Sequence, residues 1–191
     1  MPSTSEPFGF QAVRTVDGAK QPQYQIFDGG IPSAYGTAIY FGQPVKLVTG
    51  GTIQPAAVSD RLLGVFAGVE YVDAEGRVRV SEHWTASTTL LAGTSTKVRV
   101  YVDPNIIYRV QTDATMAQTA IGDQADSVNP TNNSQGYSTA QLDATLVGAG
   151  NNAQFRVIGL SSEEGNDWGD TYVNVLVQIS EHAYVADAAA I

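Results

Sequence analysis

Only two histidines occur in the 191 residues, and both stand in the same tripeptide, Ser81-Glu82-His83 and Ser180-Glu181-His182. Each follows an alternating stretch and precedes an aromatic residue, Trp84 directly and Tyr184 one residue later. Two imidazoles beside Glu82 and Glu181 have the donor chemistry of a divalent metal site. The plainer reading is a repeated strand end, where Glu and His leave the sheet and the ring tucks back. That reading is the expectation, and no metal is assigned. The acidic run Ser162-Glu163-Glu164-Gly165-Asn166-Asp167-Trp168-Gly169-Asp170 offers oxygen ligands of the kind calcium takes, but without EF-hand spacing, and reads as a solvated loop. The chain has no cysteine, which removes thiolate zinc sites, disulfide frameworks and cysteine nucleophiles. It has no Gly-x-Ser-x-Gly, Walker or dinucleotide glycine pattern. Nothing singles out a serine to join His83 or His182, or a carboxylate pair for glycoside hydrolysis among the 19 acids. Asn132-Asn133-Ser134 matches a glycosylation acceptor and is read as a polar turn. The chain is therefore expected to be no enzyme and to carry no cofactor.

Contact chemistry is better represented. The leader contains Pro7-Phe8-Gly9-Phe10, two aromatics in an otherwise polar stretch. Burying each is worth about 1.5–3 kcal/mol, so they either fold back on their own domain or insert into a neighbouring subunit or partner. Arg77, Arg79, Lys97 and Arg99 project from alternating segments. They are candidates for contact with an acidic partner, or else solvated strand edges that discourage unwanted pairing. With 10 basic against 19 acidic residues the net charge is −9, which argues against binding nucleic acid by phosphate neutralisation. Charged residues are only 15% of the chain, against roughly a quarter in a typical soluble domain. No apolar run of about 18 residues is present, and no membrane partner is expected. The first twenty residues lack a continuous apolar core, so no secretory signal is expected.

The elements that must position these residues are strands. Val outnumbers Leu 21 to 9, and β-branched side chains suit a pleated surface. Val173, Val175, Val177 and Ile179 alternate with polar neighbours, Leu176 being the exception. Lys97 to Val102 alternates with its valines inward, and Arg77-Val78-Arg79-Val80 repeats that pattern. Leu62 to Tyr71 is apolar on both faces: Leu63, Val65, Ala67, Val69 and Tyr71 on one, Leu62 and Phe66 on the other, with Gly64 and Gly68 flanking Phe66. This predicts a central, strongly curved strand in which the glycines admit a close neighbour. Gly50-Gly51 predicts a two-residue hairpin loop, Asp73-Ala74-Glu75-Gly76 a bulged hairpin closed by Gly76, and Asp103-Pro104-Asn105 a tight turn. One short helix is expected over Ala114–Ile121, capped by Asp113 and stopped by Gly122. The fold class is all-β: a compact antiparallel barrel or sandwich with an extended N-terminal arm (1–23), a single domain (24–185) and a short tail (186–191). The polar segment 122–141 is read as a functional or mobile loop.

The leader Pro7-Phe8-Gly9-Phe10 is followed by Ala38-Ile39-Tyr40 and Gly42-Gln43-Pro44-Val45-Lys46-Leu47. Then come Leu63-Gly64-Val65-Phe66-Ala67-Gly68-Val69-Glu70-Tyr71 and the late Ser180-Glu181-His182-Ala183-Tyr184. From about residue 5 to 185 this succession resembles virion structural proteins of tailed bacteriophages, in particular capsid decoration or cement proteins. The resemblance implies a non-enzymatic protein on the outer capsid surface of the virion, made in the host cytoplasm. It implies a homotrimer that bridges subunits of the major capsid protein against internal pressure. Pro7, Phe8, Phe10, Arg77, Arg79, Lys97 and Arg99 are the candidate contacts with capsid or neighbouring copies. A tail-tube or head–tail connector protein is the nearest alternative. Outside the virion class stands a carbohydrate-binding β-sandwich, with Trp84, Trp168 and Tyr137 as candidate platform rings.

Overall fold

A computed structural model describes residues 4–18, 21–128, 131–133 and 135–186. Residues 1–3, Ala19, Lys20, Asn129, Pro130, Ser134 and most of the expected tail (187–191) lie outside the described residues. The strands are, in chain order, β1 (Gln11–Thr15), β2 (Gln25–Asp28), β3 (Pro44–Val48), β4 (Thr52–Pro55), β5 (Gly64–Val72), β6 (Val78–Ser81) and β7 (Lys97–Tyr101). They continue as β8 (Ile106–Gln111), β9 (Gln124–Ala125), β10 (Ser127–Val128), β11 (Gln141–Leu142), β12 (Phe155–Leu160) and β13 (Asn174–Ile179). A five-stranded sheet runs β1-β8-β13-β12-β9. A six-stranded sheet runs β2-β7-β5-β3-β4, with β6 also on β5. The pairings are antiparallel, and the sheets do not close into a barrel; they form a sandwich-like arrangement. Among the described residues no helix is long and apolar enough to cross a membrane.

The expected two-faced strand is β5 with its approach, and it joins two cores. Leu62 and Val65 enter the cluster of Phe10, Tyr108, Val110, Phe155, Val157, Val175 and Val177. Leu63 and Phe66 enter the other, with Ile39, Val45, Ile53, Trp84, Val98 and Val100. Strict alternation is corrected here. The register against β7 slips between Phe66 and Gly68, so Phe66 and Val69 share a cluster although they are three apart. Gly68 sits at φ 127°, a conformation that a side chain strains. Gly64 is constrained by space: a Cβ there would fall 2.0 Å from the Tyr101 carbonyl oxygen.

The turns mostly follow their residues. Gly76 is left-handed (φ 82°) in the β5–β6 hairpin, where its N–H donates to the Asp73 carbonyl at 2.9 Å. The Ile106 N–H closes the Asp103-Pro104-Asn105 turn on the Asp103 carbonyl at 3.1 Å. The β3–β4 loop takes in Thr49, because Val48 pairs with Thr52. The helix expected over 114–121 reduces to one 3-10 turn, Gln118–Ala120, with Ala117 at its N-cap making no side-chain bond. Asp113 instead accepts the Ala144 N–H at 2.9 Å, and Thr115 and Thr119 give the segment little helical preference. The polar segment 122–141 carries β9, β10 and the first residue of β11, with Gln124, Ser127 and Gln141 buried. The valines of β6 reverse the expectation, since Val78 and Val80 are 67% and 61% exposed.

Replacing Gly64 by Ala is expected to cost about 3 kcal/mol or more, because rigid backbone rather than a movable side chain blocks the new methyl. Chemical denaturation of the G64A chain checks this, and a midpoint equal to wild type contradicts the close approach.

Candidate assembly surface

The N-terminal residues run extended but are docked on their own chain. Phe10 is 1% exposed and stacks on Phe155 with ring centroids 4.2 Å apart. It is therefore a core residue, which corrects its role as a contact with capsid or neighbouring copies. Phe8 lies under the Arg109 guanidinium, 4.7 Å from the ring centroid, and Pro7 is half-buried beside it in the chain. The Gln111 side chain pairs with the leader's backbone: it accepts the Glu6 N–H and donates to the Thr4 carbonyl, both at 3.0 Å. β1 then joins β8 as an edge strand, with a register slip at Val13. Arg109 also binds Glu163 at 2.6 Å. Burial pushes the Glu163 carboxyl up, but hydrogen bonds from Arg109, Asn174 and Ser161 outweigh it and hold the group below the usual carboxylate range. This carboxylate of the acidic loop is thus committed to holding structure. Among the described residues no group of three or more His, Asp or Glu is placed to hold a metal.

The two Ser-Glu-His tripeptides do not converge on one pocket. His182 is buried, its Nε2 lies 2.7 Å from the Val102 carbonyl oxygen, and its Nδ1 accepts the Tyr184 N–H at 3.1 Å. Both ring nitrogens are occupied by backbone, which fixes the neutral ring with its proton on Nε2. Burial pushes its pKa below the ordinary 6.5, against the raising effects of the Val102 carbonyl and nearby Asp103. His83 lines a separate shallow depression with Tyr40, Asn132, Asn133 and Gly136. The aromatic platform is also absent as drawn. Trp84 is fully buried, Trp168 packs against the core, and Tyr137 meets Phe41 edge-on while its hydroxyl donates to Glu82 at 2.8 Å.

Two of the basic candidates, Lys97 and Arg99, share one face, whereas Arg79 stands opposite Tyr71 on the other face of β6. Tyr101, Arg99 and Lys97 alternate on the side of β7 opposite the buried Val98 and Val100. At its Tyr101–Val65 end this side packs into the core shared with the five-stranded sheet. At its Lys97 end it emerges into solvent. There the residues in register are Asp28, Lys97, Glu70 and Val80 across β2, β7, β5 and β6. Ile26 stands opposite Arg99 and Val78 opposite Val72. Ile26 is 53% and Tyr24 48% exposed. Glu70 serves both cations, 3.7 Å from Lys97 and 3.8 Å from Arg99, and Arg99 also lies over the Tyr24 ring. Arg79 pairs with Asp73 at 2.8 Å. The Arg77 N–H and Arg79 hold the Asp73 carboxyl below its ordinary range, and the Arg77 side chain is exposed at the hairpin tip. These are not four unaccompanied cations awaiting an acidic partner; three have acids of their own chain. The exposed Tyr24, Ile26, Val78 and Val80, with Glu70 among them, form the surface that residue types alone missed. The missing signal is the extent of the second sheet, which covers one end of this face and leaves the other open. No family model, no curated protein and no solved structure matches the chain.

Because native His182 is held neutral, its contribution to stability is complete above about pH 6.5 and is lost as pH falls through its lowered native pKa. The stability gap between wild type and H182Q is expected to narrow from about pH 8 to about pH 5. Urea midpoints across that range check it, and a gap independent of pH contradicts the neutral, doubly bonded ring.

Proposed function

We propose that this chain is a structural assembly protein that decorates a phage capsid from outside. It acts as a homo-oligomer, a trimer in the form the resemblance implies, and stabilises the shell by bridging capsid subunits. The single observation behind this reading is the open end of the six-stranded sheet, a built surface whose most exposed members are aliphatic. Its exposed apolar members fall in two groups, Val78 and Val80 on β6 and Tyr24 and Ile26 at β2, and grouped exposure of this kind marks contact sites more often than scattered single residues do. The best-built polar centres support it from the other direction: His182 and Glu163 are engaged in holding backbone and side chains together. A rigid sandwich offering several surfaces gains from a repetitive shell, because each later contact forms at high effective concentration. Its cement role needs no covalent step. Shell subunits held by the same rigid body must break several contacts together before they separate.

Mass spectrometry of purified particles carrying this chain tests the reading by copy number. Hundreds of copies per particle, scaling with the major shell protein, are expected. A few tens would assign it to the tail or connector, and none would remove it from the virion.

A further inference from the structure

The charged side chains that the pairing places on the open face are two basic, Lys97 and Arg99, and two acidic, Asp28 and Glu70, while Arg79 stands opposite Tyr71 on the other face of β6. Those on the open face are neutral together, so the whole formal charge of −9 is carried by the rest of the chain. Two copies of so acidic a protein repel over most of their surfaces, and that repulsion weakens where the local charge vanishes. The neutral region is also where Tyr24, Ile26, Val78 and Val80 are 48–67% exposed. Its charges alternate in sign along one row, Asp28, Lys97 and Glu70. A rotated copy of such a row can set cation against anion, whereas a strongly acidic partner finds no net attraction there. The chain's own leader is not the missing cover, since Glu6 to Phe10 docks at Gln111, Arg109 and Phe155 on the other sheet.

We infer that the open face of β2, β7, β5 and β6 is the contact between copies of this chain, with Val78 and Val80 as its apolar anchor at the β6 edge. The shell contacts then fall on the acidic remainder of the surface. The assignment rests on the reading of the protein as an assembly piece and adds which partner takes this face. Closed rings of identical subunits are the usual outcome of such a contact.

Sedimentation of the full chain at micromolar concentration tests it. Wild type is expected at a multiple of the 20.2 kDa chain mass, and the Val78→Glu/Val80→Glu variant, with an unchanged circular dichroism spectrum, at the chain mass itself. A monomeric wild type, or a variant that keeps the oligomer, overturns the inference. Should the double variant misfold, Val80→Cys decides in this cysteine-free chain. Its alkylation by a soluble maleimide is expected to be several-fold slower in concentrated than in dilute protein, and equal rates overturn the inference. The two readings fail separately. A wild type that stays monomeric yet coats shells sinks the copy contact alone. One that self-associates through this face but ignores shells supports the contact and sinks the decoration reading.

Discussion

Two cores meet in one strand, and the rest of the molecule is arranged around that crossing. At the approach to β5 and its first residues the side chains divide between the clusters, Leu62 and Val65 to one, Leu63 and Phe66 to the other. Tyr101 of β7 comes so close to Gly64 that only a hydrogen fits between them. A sheet with apolar side chains on both faces must be covered on both. The five-stranded sheet covers one side, and Ile31, Ile39, Trp84 and Leu90 from outside the strands help cover the other. Past the register slip at Gly68 the strand turns polar on its outer side, with Glu70, and the five-stranded sheet no longer follows it. The open face is a consequence of where that double burial ends.

Polar residues do the remaining stitching. The buried Gln154 accepts the Ser127 N–H at 3.0 Å and donates to the carbonyls of Ala57 and Asp60, tying β10 and the β4–β5 loop to the approach of β12. Gln111 holds the leader in the same way, and Gln141 donates to the Thr112 carbonyl at 3.0 Å. A glutamine amide offers both a donor and an acceptor, so it can stand in for a strand's backbone where no strand runs. With His182 and Glu163 engaged in the same work, these buried polar groups hold the sandwich rigid, which suits the bridging role proposed above.

Strand periodicity made much of this fold legible. β13 and β7 follow their alternating valines, Gly76 marks its hairpin, and the crowding at Gly64 is implied by glycine within an apolar strand. Four things were not legible. Phe10 reads as a free anchor because its partner Phe155 lies 145 residues away in sequence. Val78 and Val80 read as inward because alternation gives a face but not what covers it. The helix near 118 is over-read because an Asp and a Gly can bracket a segment that has neither a cap bond nor strong helical residues. The polar loop at 122–141 hid short strands for a related reason: pairs as brief as Gln124–Ala125 owe their existence to a neighbour, here β12.

The most direct measurement of the central claim is backbone hydrogen exchange on the chain free at high dilution and again in its assembled form. Residues 24–28 and 77–81 span the two edge strands of the open face, and their amides are predicted to slow markedly on assembly while the doubly buried start of β5 stays protected in both states. If those segments exchange at the same rate before and after assembly, the open face is not where the protein is joined, and the account is wrong.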